Sequence, residues 1–511
     1  MKKFSRLVAL GLASVMTLTA CGTTGKEASN GSGEMVNITV MVYDRGHEYV
    51  NGNSVTNNEF TRWVNKNMEP QGVHVDYVTV PRSGADDKVN LMLTGDTAPD
   101  VIRTYDRQRV ATYASQGGLA ELSSIVDGLH EDYLAKAEPY LEACTFDGGL
   151  YALPAVYSYM GKSHEAFIRE DLVKGAGKEI PTNKEELIDV LYAIKDKYPD
   201  IIPMGFGGKN TNGNYTNFLL AYTSRANERD NYIYEPTFTI VLKPGHKDGL
   251  RQLNQFVLDG IIDSNFVLDT DNSKYDENVA NGKYAYIMDG SDSCIADAYE
   301  TVSDPNYRMI EGDFMEDLDG SYAVPSQGAF DFYCYVPKTA EKRLEAVGKY
   351  LAFMSDPDIA FQTRGGLEGL GYEMVDGKQV GFDRATRLAN GTSSNPGDNC
   401  MLWGNFDTTL ETIIEEYQIS NPEVPAEVAA GKKTSQYSNF YHTAQIGGAL
   451  PSDEYVPLLQ ELIVEFVFKC MSAPAGKFDE VYEKEYQILL DNHLQEVLDE
   501  RAAWYDKNIA K

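Results

Sequence analysis

The chain has 511 residues, 42% of them hydrophobic and 24% charged, and its 77 acidic and 45 basic residues give a formal net charge of −32. This length exceeds what one hydrophobic core usually serves, so it predicts two or more lobes, and the composition excludes a disordered chain. A charge this negative repels phosphate backbones and argues against nucleic acid as a partner.

The first 20 residues have the pattern of a secretory signal peptide. Three basic residues precede an apolar run at 7–18, which is shorter than the roughly 20 residues that span a bilayer. The segment Leu18-Thr-Ala-Cys21 resembles a bacterial lipobox, in which the cysteine thiol receives a diacylglyceryl group. The alternative is plain secretion with Cys21 left as a thiol. Lipidation of Cys21, with palmitate among the acyl chains, would hold the protein at the extracellular face of the cytoplasmic membrane.

Residues 21–35 are expected to form the lipidated cysteine and a flexible tether, because they are polar and rich in Gly, Ser and Thr. Five further cysteines follow. Their number is odd and none has CxxC spacing, which argues against zinc and redox sites and favours buried free thiols. These are Cys144, Cys294, Cys334, Cys400 and Cys470.

The folded body is predicted to open with strands and helices in alternation, which is typical of a mostly parallel sheet with helices on its faces. The strands are predicted at 36–43, 73–80 and 99–102, with helices at 58–68 and 86–93. Farther along, Thr182 and Glu185 have capping-box spacing before an apolar helical face. Later helices are predicted at 187–194, 250–257 and 344–354, later strands at 284–288 and 333–336, and a long acidic helix at 478–507.

Residues 148–174 have the features of a chain that leaves one lobe and enters another. Pro154, an extended stretch at 155–160 and Gly161 precede a new α/β unit. The local pattern alone is equally typical of a strand and loop inside one domain.

Several short segments, in chain order, resemble landmarks of the extracellular solute-binding proteins of ABC importers. The similarity is to the maltose-binding-like family 1, in its larger lipoprotein branch, and it spans about residues 36–375. The segments are LTGDTAPDVI (93–102), GLAEL (118–122), GLYALP (149–154), IREDL (168–172), PTNKEEL (181–187), NGKYA (281–285) and EAVGKYL (345–351), with YDRG at 43–46.

The resemblance implies an α/β, periplasmic-binding-protein-like fold of two lobes that close on a solute about hinge crossings. These crossings would lie near 155–159, 323–329 and 369–372. The N-terminal lobe would comprise 36–155 and 326–371, and the C-terminal lobe 156–325 and 372–511. Such a receptor is a monomer that performs no chemistry and delivers its ligand, here an oligosaccharide, to a pair of permease subunits.

Candidate ligand residues follow the predicted strands, because ligands of open α/β sheets bind beyond the carboxyl ends of the strands. Sugars require fixed polar partners for their hydroxyls and flat aromatic surface for their C–H faces. The candidates are Asp44, Arg45, Tyr105, Asp106, Tyr157, Tyr159, Asp289, Asp292, Glu368 and Trp403. The acidic–basic pair Asp44 and Arg45 is also a feature of the family. The alternatives are helix or turn capping for the acidic residues; Trp63 and Trp504 are expected to pack helices.

Catalytic motifs are absent: the sequence contains no HExxH, GxSxG or GxxxxGK[ST] segment. Asp269-Thr-Asp-Asn-Ser273 begins like a calcium loop, but Lys274 and Ala280 stand where such a loop needs Gly and Glu. We therefore expect no cofactor, with a structural calcium ion left open. The competing hypotheses are a secreted glycan-cleaving enzyme, and the same receptor with a peptide or polyol ligand.

Overall fold

The computed structural model describes residues 35–82, 84–157, 165–208, 213–234, 241–290, 292–312, 316–321, 330–404, 409–436 and 450–510. The predicted signal peptide, Cys21 and nearly all of the tether lie outside these residues. None of the described helices combines the length and apolar character that crossing a bilayer requires.

The first hydrophobic core is built on a mixed sheet. Its strands are β1 (Val36–Asp44), β2 (Val73–Pro81), β3 (Ile102–Thr104), β6 (Ala152–Pro154) and β11 (Tyr333–Tyr335), and a small hairpin, β4 (Thr145–Phe146) and β5 (Gly149–Leu150), lies nearby. Strands β1 and β2 are parallel, and Val40 of β1 bridges in parallel to Val101 just before β3. Strand β11 lies antiparallel between β3 and β6. Three parallel strands therefore point their carboxyl ends to one edge of this sheet.

Helices cover this sheet. They are α1 (Glu59–Met68), α2 (Ala85–Thr94), α3 (Arg107–Ser115), α4 (Ser123–Val126), α5 (Glu131–Ala137), α13 (Leu344–Ser355), α14 (Pro357–Gly365) and α15 (Arg384–Ala389). The predicted β-α-β-α-β order of the first hundred residues is confirmed, except that the third strand begins at Ile102 and not at residue 99. Helix α1 starts at a capping box in which the Asn58 side chain accepts from the Thr61 N–H.

The second core surrounds a four-stranded sheet in the order β10-β7-β9-β8, in which β8 and β9 are parallel and the other pairs are antiparallel. Its strands are β7 (Glu165–Arg169), β8 (Ile202–Gly205), β9 (Tyr284–Gly290) and β10 (Met309–Glu311). Its helices are α6 (Glu170–Gly175), α7 (Lys184–Lys197), α8 (Gly213–Leu220), α9 (Glu228–Tyr234), α10 (His246–Leu258), α11 (Ser273–Ala280), α12 (Asp292–Thr301), α16 (Leu410–Ser420), α17 (Ala426–Gln436), α18 (Val456–Met471), α19 (Phe478–Asp491) and α20 (Leu494–Asn508).

This second sheet is buried on both faces. Along β7, Ala166 and Ile168 belong to the large cluster that includes α18, whereas Phe167 belongs to a smaller cluster with Tyr417 and Val428. Successive side chains of a strand point to opposite faces, so helices from the end of the chain cover both sides. The C-terminal residues thus complete a core that begins at residue 166.

The two cores are joined by three passages of the chain. The buried residues of the first core lie at 38–156 and 330–403. Those of the other two clusters lie at 166–309, 417–429 and 456–498. At the junction, residues 155–156 pair with 331–332 on one side and with 402–404 on the other, through four backbone hydrogen bonds of 2.7 to 2.9 Å. The chain therefore leaves the first core after Val156, and a hinge between lobes at 155–159 stays a prediction.

The prediction of a third crossing at 369–372 is wrong. Those residues turn into an antiparallel hairpin, β12 (Tyr372–Val375) and β13 (Lys378–Gly381), and the chain leaves the first core only after Trp403. The lobe boundary placed at residue 372 is corrected accordingly, since Met401 and Leu402 pack in the first core. The Gly-rich turn before Tyr372 has the same local sequence pattern as a crossing between lobes. This similarity explains why the third crossing was predicted there.

Two further predictions are corrected. The helix predicted at 478–507 is two helices, α19 and α20, because His493 adopts a left-handed conformation with φ of 72° between them. The capping residue of α7 is Asn183 and not Thr182: the Asn183 side chain accepts from the Glu186 N–H, while Thr182 N–H donates to the Glu186 carboxylate.

Candidate functional site

The carboxyl ends of β1, β2 and β3 bring side chains together where the three crossings meet. Tyr43 is the penultimate residue of β1, Arg82 follows β2 and Tyr105 follows β3. Because the three strands are parallel, these residues emerge at one edge of the sheet, which is where ligands of such sheets bind. We call this surface the strand-end site; its members are Tyr43, Arg45, Arg82, Arg103, Tyr105, Tyr157, Asp331, Phe332, Arg364 and Asp398.

Guanidinium groups and aromatic rings alternate at the centre of the site. The Arg103 guanidinium carbon lies 4.4 Å from the centre of the Tyr43 ring and 4.9 Å from that of Phe332. The Arg82 guanidinium lies 4.8 Å from the Tyr43 ring and 5.2 Å from the Tyr105 ring. These distances are those of cation–π contacts. Tyr105 also meets Phe332 edge to face at 5.9 Å and is 48% exposed, so the site presents an aromatic surface to solvent.

The Asp398 carboxylate forms ion pairs with two arginines of the site, Arg45 and Arg103. Its carboxylate accepts from Arg45 Nε at 2.6 Å and Nη2 at 2.9 Å, and from Arg103 Nη2 at 3.0 Å. The Arg103 side chain is only 2% exposed and also donates to the carbonyl of Cys400 at 3.3 Å. The hydrogen bond to Asp398 raises the pKa of Arg45. The pair therefore fixes the loop after β1 against the segment 396–400.

Tyr157 and Asp331 join two of the crossings. The Tyr157 hydroxyl donates to Asp331 Oδ1 at 2.9 Å, across 174 residues of sequence. Burial raises the pKa of the Asp331 carboxyl, against the opposite effects of the Tyr157 hydrogen bond and of nearby arginines, of which Arg364 is the strongest. This hydrogen bond therefore links two of the segments in which the chain passes between the cores.

The predicted residues Arg45, Tyr105 and Tyr157 lie in the strand-end site. Asp44 lies at the end of β1, where its carboxylate accepts from the Gly46 N–H at 2.8 Å in a turn, and its predicted contact with ligand stays a prediction. Asp106 caps α3 by accepting from the backbone N–H groups of residues 108 and 109, which is the alternative role considered for it.

The prediction that Trp403 stacks on a ligand is wrong for this structure. Trp403 is 2% exposed and belongs to the first core, where its indole N–H donates to the Ser355 carbonyl at 2.9 Å. Its ring packs edge to face on Tyr133 at 6.1 Å. The Gly/Asn-rich surroundings of Trp403 suggest an exposed loop, but the segment is covered because it pairs with the first crossing.

The remaining predicted residues give mixed outcomes. Glu368 is exposed in the turn before β12, where it bridges to Tyr372, and its predicted contact with ligand stays a prediction. Tyr159, and the side chains of Asp289 and Asp292, lie outside the described residues. Trp63 packs on Phe353 at 5.6 Å, and Trp504 stacks on Tyr232 at 5.3 Å, so both pack helices as predicted.

Sequence reasoning missed seven members of the site: Tyr43, Arg82, Arg103, Asp331, Phe332, Arg364 and Asp398. Arg82 stands directly after a predicted strand, so the rule that identified Arg45 and Tyr105 would also have found it. Arg103 lies inside a strand, and nothing in its local pattern indicates that it is buried beside aromatic rings. Asp331, Phe332 and Asp398 lie 174 residues or more along the chain from the site residues that they contact, and no local signal links them to the site.

The carboxylates of the calcium-like loop accept hydrogen bonds from backbone N–H groups. The two carboxylate oxygens of Asp269 accept from the N–H groups of Lys274 and Tyr275 at 3.0 and 2.7 Å, and Asp271 accepts from that of Ser273 at 3.0 Å. These are helix-capping contacts at the start of α11. No cluster of metal-ligating side chains occurs in the part of the chain that the structure describes.

Four of the cysteines, Cys144, Cys334, Cys400 and Cys470, are free and buried, as predicted. Burial raises the pKa of the Cys400 thiol to about 11, so it is not a reactive thiolate at neutral pH. The side chain of Cys294 lies outside the described residues.

The family of bacterial extracellular solute-binding proteins matches residues 62–371, more than half of the chain. The chain belongs to this family. The lipoprotein LipO of Bacillus subtilis (strain 168) is 26% identical over 330 residues, which cover 60% of this chain and 63% of LipO. FusA, the substrate-binding protein of a fructooligosaccharide ABC transporter of Streptococcus pneumoniae serotype 4, is 25% identical over 292 residues, 51% of this chain and 53% of FusA. The matches thus span less than two thirds of these relatives.

Solved structures of solute-binding proteins have the same fold. The alginate-binding protein AlgQ2 without calcium ion covers 93% of this chain, and 98% of its own, with a TM-score of 0.66 and 17% identity. FusA of S. pneumoniae in complex with kestose covers 93% of this chain and 100% of its own, with a TM-score of 0.67 and 16% identity. The predicted two-lobed, periplasmic-binding-protein-like α/β fold is confirmed.

Proposed function

We propose that this solute-binding protein is the lipid-anchored receptor of an ABC importer and captures an oligosaccharide at the strand-end site. The observation that carries the proposal is the exposed pair of Tyr105 and Arg82, packed over the buried Tyr43 ring and placed where three crossings join the two cores. A ligand bound there would contact both cores, and its release to permease subunits would follow their separation.

The chemistry of this surface suits a sugar. The C–H faces of a pyranose or furanose ring pack on Tyr105, whose ring is the most exposed of the aromatic groups in the site. The ring hydroxyls then lie within reach of Arg82 and of the Tyr157–Asp331 pair, and hydrogen bonds to charged groups contribute about 1.5–3 kcal/mol each. A half-buried strand-end residue, Asp44, is a further proposed partner for hydroxyls.

The similar proteins support this choice of ligand. FusA belongs to a fructooligosaccharide transporter and has been solved with kestose, and AlgQ2 is an alginate-binding protein. A third similar structure is described as a solute-binding protein that binds HMO, from Bifidobacterium longum infantis. LipO is a lipoprotein, which supports lipidation of Cys21 and a position at the extracellular face of the membrane.

Calorimetric titration of the purified protein with a panel of neutral and acidic oligosaccharides tests the proposal. We expect saturable binding, with the glycan recovered intact. Hydrolysed glycan would instead indicate a glycan-cleaving enzyme, and binding only of peptides or polyols would change the ligand class.

Tyr105→Ala removes the exposed aromatic surface and should weaken binding about tenfold or more, since about 1.4 kcal/mol corresponds to one decade in Kd. The matched control is Tyr455→Ala. Tyr455 also stacks a ring on a neighbour, His493 at 3.8 Å, but it lies at the start of α18 on the second core. Equal affinities for Tyr105→Ala and Tyr455→Ala would remove Tyr105 from the site.

A further inference from the structure

The strand-end site is basic although the protein is strongly acidic. Among the described residues of the site, the four guanidinium groups of Arg45, Arg82, Arg103 and Arg364 outnumber the carboxylates of Asp331 and Asp398, even with Asp44 counted at the edge, while the whole chain has a formal charge of −32. Fields from distant acidic groups are screened over about 8 Å at physiological salt, so a ligand in the site experiences mainly the local charge.

Two of the four guanidinium groups are already paired. Asp398 accepts from both Arg45 and Arg103, and it is only 10% exposed, so this carboxylate is fully engaged. The other carboxylate, Asp331, accepts from the Tyr157 hydroxyl and is held in a position where burial opposes its ionisation. Neither carboxylate forms an ion pair with Arg82 or Arg364.

The Arg82 side chain is exposed and forms no hydrogen bond or ion pair with the described residues, whereas its backbone N–H donates to the Asp44 carbonyl at 2.9 Å. Its guanidinium group packs against the rings of Tyr43 and Tyr105, at 4.8 and 5.2 Å from their centres. A guanidinium group that contacts aromatic faces still carries its N–H donors along its edge, in the fork that fits a carboxylate or an ester of sulfuric or phosphoric acid. Arg82 is therefore oriented by the protein while its donors stay available to a ligand.

Arg364 has the same character. It lies in the last turn of α14, is exposed, and also lacks an ion pair within the described chain. Its Nη1 lies 3.8 Å from the position that a Cβ would take at Gly397, the residue before Asp398, and its charge opposes the raised pKa of the Asp331 carboxyl. The alternative role of a cation at a helix C-terminus explains its position in α14. It does not explain why a second guanidinium group without an ion pair in the described chain lies beside the segment that carries Asp398.

We propose that the oligosaccharide taken by this site carries an anionic group, a carboxylate or a sulfate or phosphate ester, which Arg82 and Arg364 bind. The inference rests on the proposed function and specifies its ligand as an acidic glycan. A neutral sugar would leave two exposed guanidinium groups partly desolvated and without a counter-charge, whereas an acidic sugar supplies it.

The test uses pairs of glycans that differ only in charge. Oligogalacturonates are titrated against their methyl esters, and sulfated and phosphorylated oligosaccharides against the same glycans without the ester groups. We expect the charged member to bind at least about tenfold more tightly, and its affinity to fall as NaCl is raised. The pair with the largest ratio identifies which anionic group the site accepts.

The variants Arg82→Gln and Arg364→Gln remove one charge each and keep hydrogen-bond donors. Each should lower the affinity ratio of charged to uncharged glycan by about tenfold, with an unchanged thermal midpoint because both side chains are exposed. Arg251→Gln is the matched control: this arginine of α10 is 44% exposed, pairs with Asp479 and should keep the wild-type ratio.

Two outcomes contradict different claims. Equal affinity for the charged and uncharged members, or an unaltered ratio in both site variants, overturns the acidic ligand and leaves the receptor function standing. Failure of every glycan to bind, charged or not, overturns the proposed function itself.

Discussion

At the scale of single residues, the Asp398 carboxylate fixes the side chains of two arginines. It neutralises a guanidinium group that is 2% exposed and at the same time binds the more exposed Arg45. The pair positions Arg103 under the aromatic rings of the strand-end site, so its loss should affect both stability and ligand affinity.

Asp398→Asn should lower the free energy of unfolding by about 3 kcal/mol, because it leaves the buried charge of Arg103 uncompensated. Asp479→Asn is the control, since Asp479 is 64% exposed and its ion pairs with Arg251 and Lys247 should contribute less than about 1 kcal/mol. Urea unfolding measures both. Similar losses in the two variants would contradict a special role for Asp398.

His246 is the buried titratable group whose protonation should limit acid stability. Burial lowers its pKa to about 4 from 6.5; its Nε2 lies 2.9 Å from the Tyr482 hydroxyl and its Nδ1 lies 2.7 Å from the Lys243 carbonyl. Between pH 6.5 and 4 the unfolded chain binds the additional proton. Stability from this residue is therefore complete above pH 6.5 and is lost, by about 3 kcal/mol in total, as the pH falls through 4.

His246→Gln should flatten that dependence. The variant is less stable than the wild type at pH 7, but its free energy of unfolding should decrease less between pH 7 and 4, because no imidazole must be charged. Urea unfolding at a series of pH values provides the comparison. Parallel curves for the two proteins would show that His246 does not contribute to the acid sensitivity.

At the scale of elements, the crossings are closely packed. Gly404, which donates to the Val156 carbonyl at 2.8 Å, leaves no room for a side chain: a Cβ there would lie 2.7 Å from Tyr157 Cε1 and 2.9 Å from Asp331 Cβ. The glycine thus permits the third crossing to approach the hydrogen-bonded pair that links the other two.

Gly404→Ala should destabilise the protein by about 1–3 kcal/mol through this overlap, and should weaken ligand binding by displacing Tyr157. Gly431→Ala, inside α17 with open space around it, should instead stabilise by about 0.5–1 kcal/mol. Thermal unfolding and calorimetric titration of the two variants give the comparison. A Gly404→Ala protein with wild-type stability and affinity would refute close packing at the crossings.

At the scale of the whole molecule, the excess of acidic residues should destabilise the folded state through mutual repulsion. Raising NaCl from about 10 mM to about 150 mM reduces the Debye length from roughly 30 to roughly 8 Å, so the thermal midpoint should rise by a few degrees. Differential scanning calorimetry measures the change. A falling midpoint would show that salt weakens attractive ion pairs more than it screens the repulsion.

Local patterns in the sequence were sufficient for most of the elements. The strands β1, β2, β9 and β11 and the helices α1, α7, α10 and α13 follow from periodicity, which depends on neighbours a few residues away. The errors arose where the backbone conformation of one residue ends an element although the apolar periodicity continues. His493 does so between α19 and α20. The Gly-rich turn before β12 led to the wrong position for the third crossing, because a turn inside one core has the same local pattern as a crossing.

The site was only partly predictable. Arg45 and Tyr105 could be named because a strand end is a local feature and the direction of parallel strands aligns such ends. Asp398 could not, because it is 353 residues from Arg45 and its role exists only once segment 396–400 lies beside β1. Trp403 was assigned to the wrong environment, since burial depends on which distant segment covers a residue.

The sequence by itself determined the family, the parallel strand order of the first hundred residues and the strand ends that carry Arg45 and Tyr105, because each is encoded within short segments. Only the tertiary structure decided which side chains complete the site, where the third crossing lies and which arginines stay unpaired. Those features depend on contacts between residues 174 to 353 positions apart in the chain. Residues so far apart leave no pattern in a short segment of sequence.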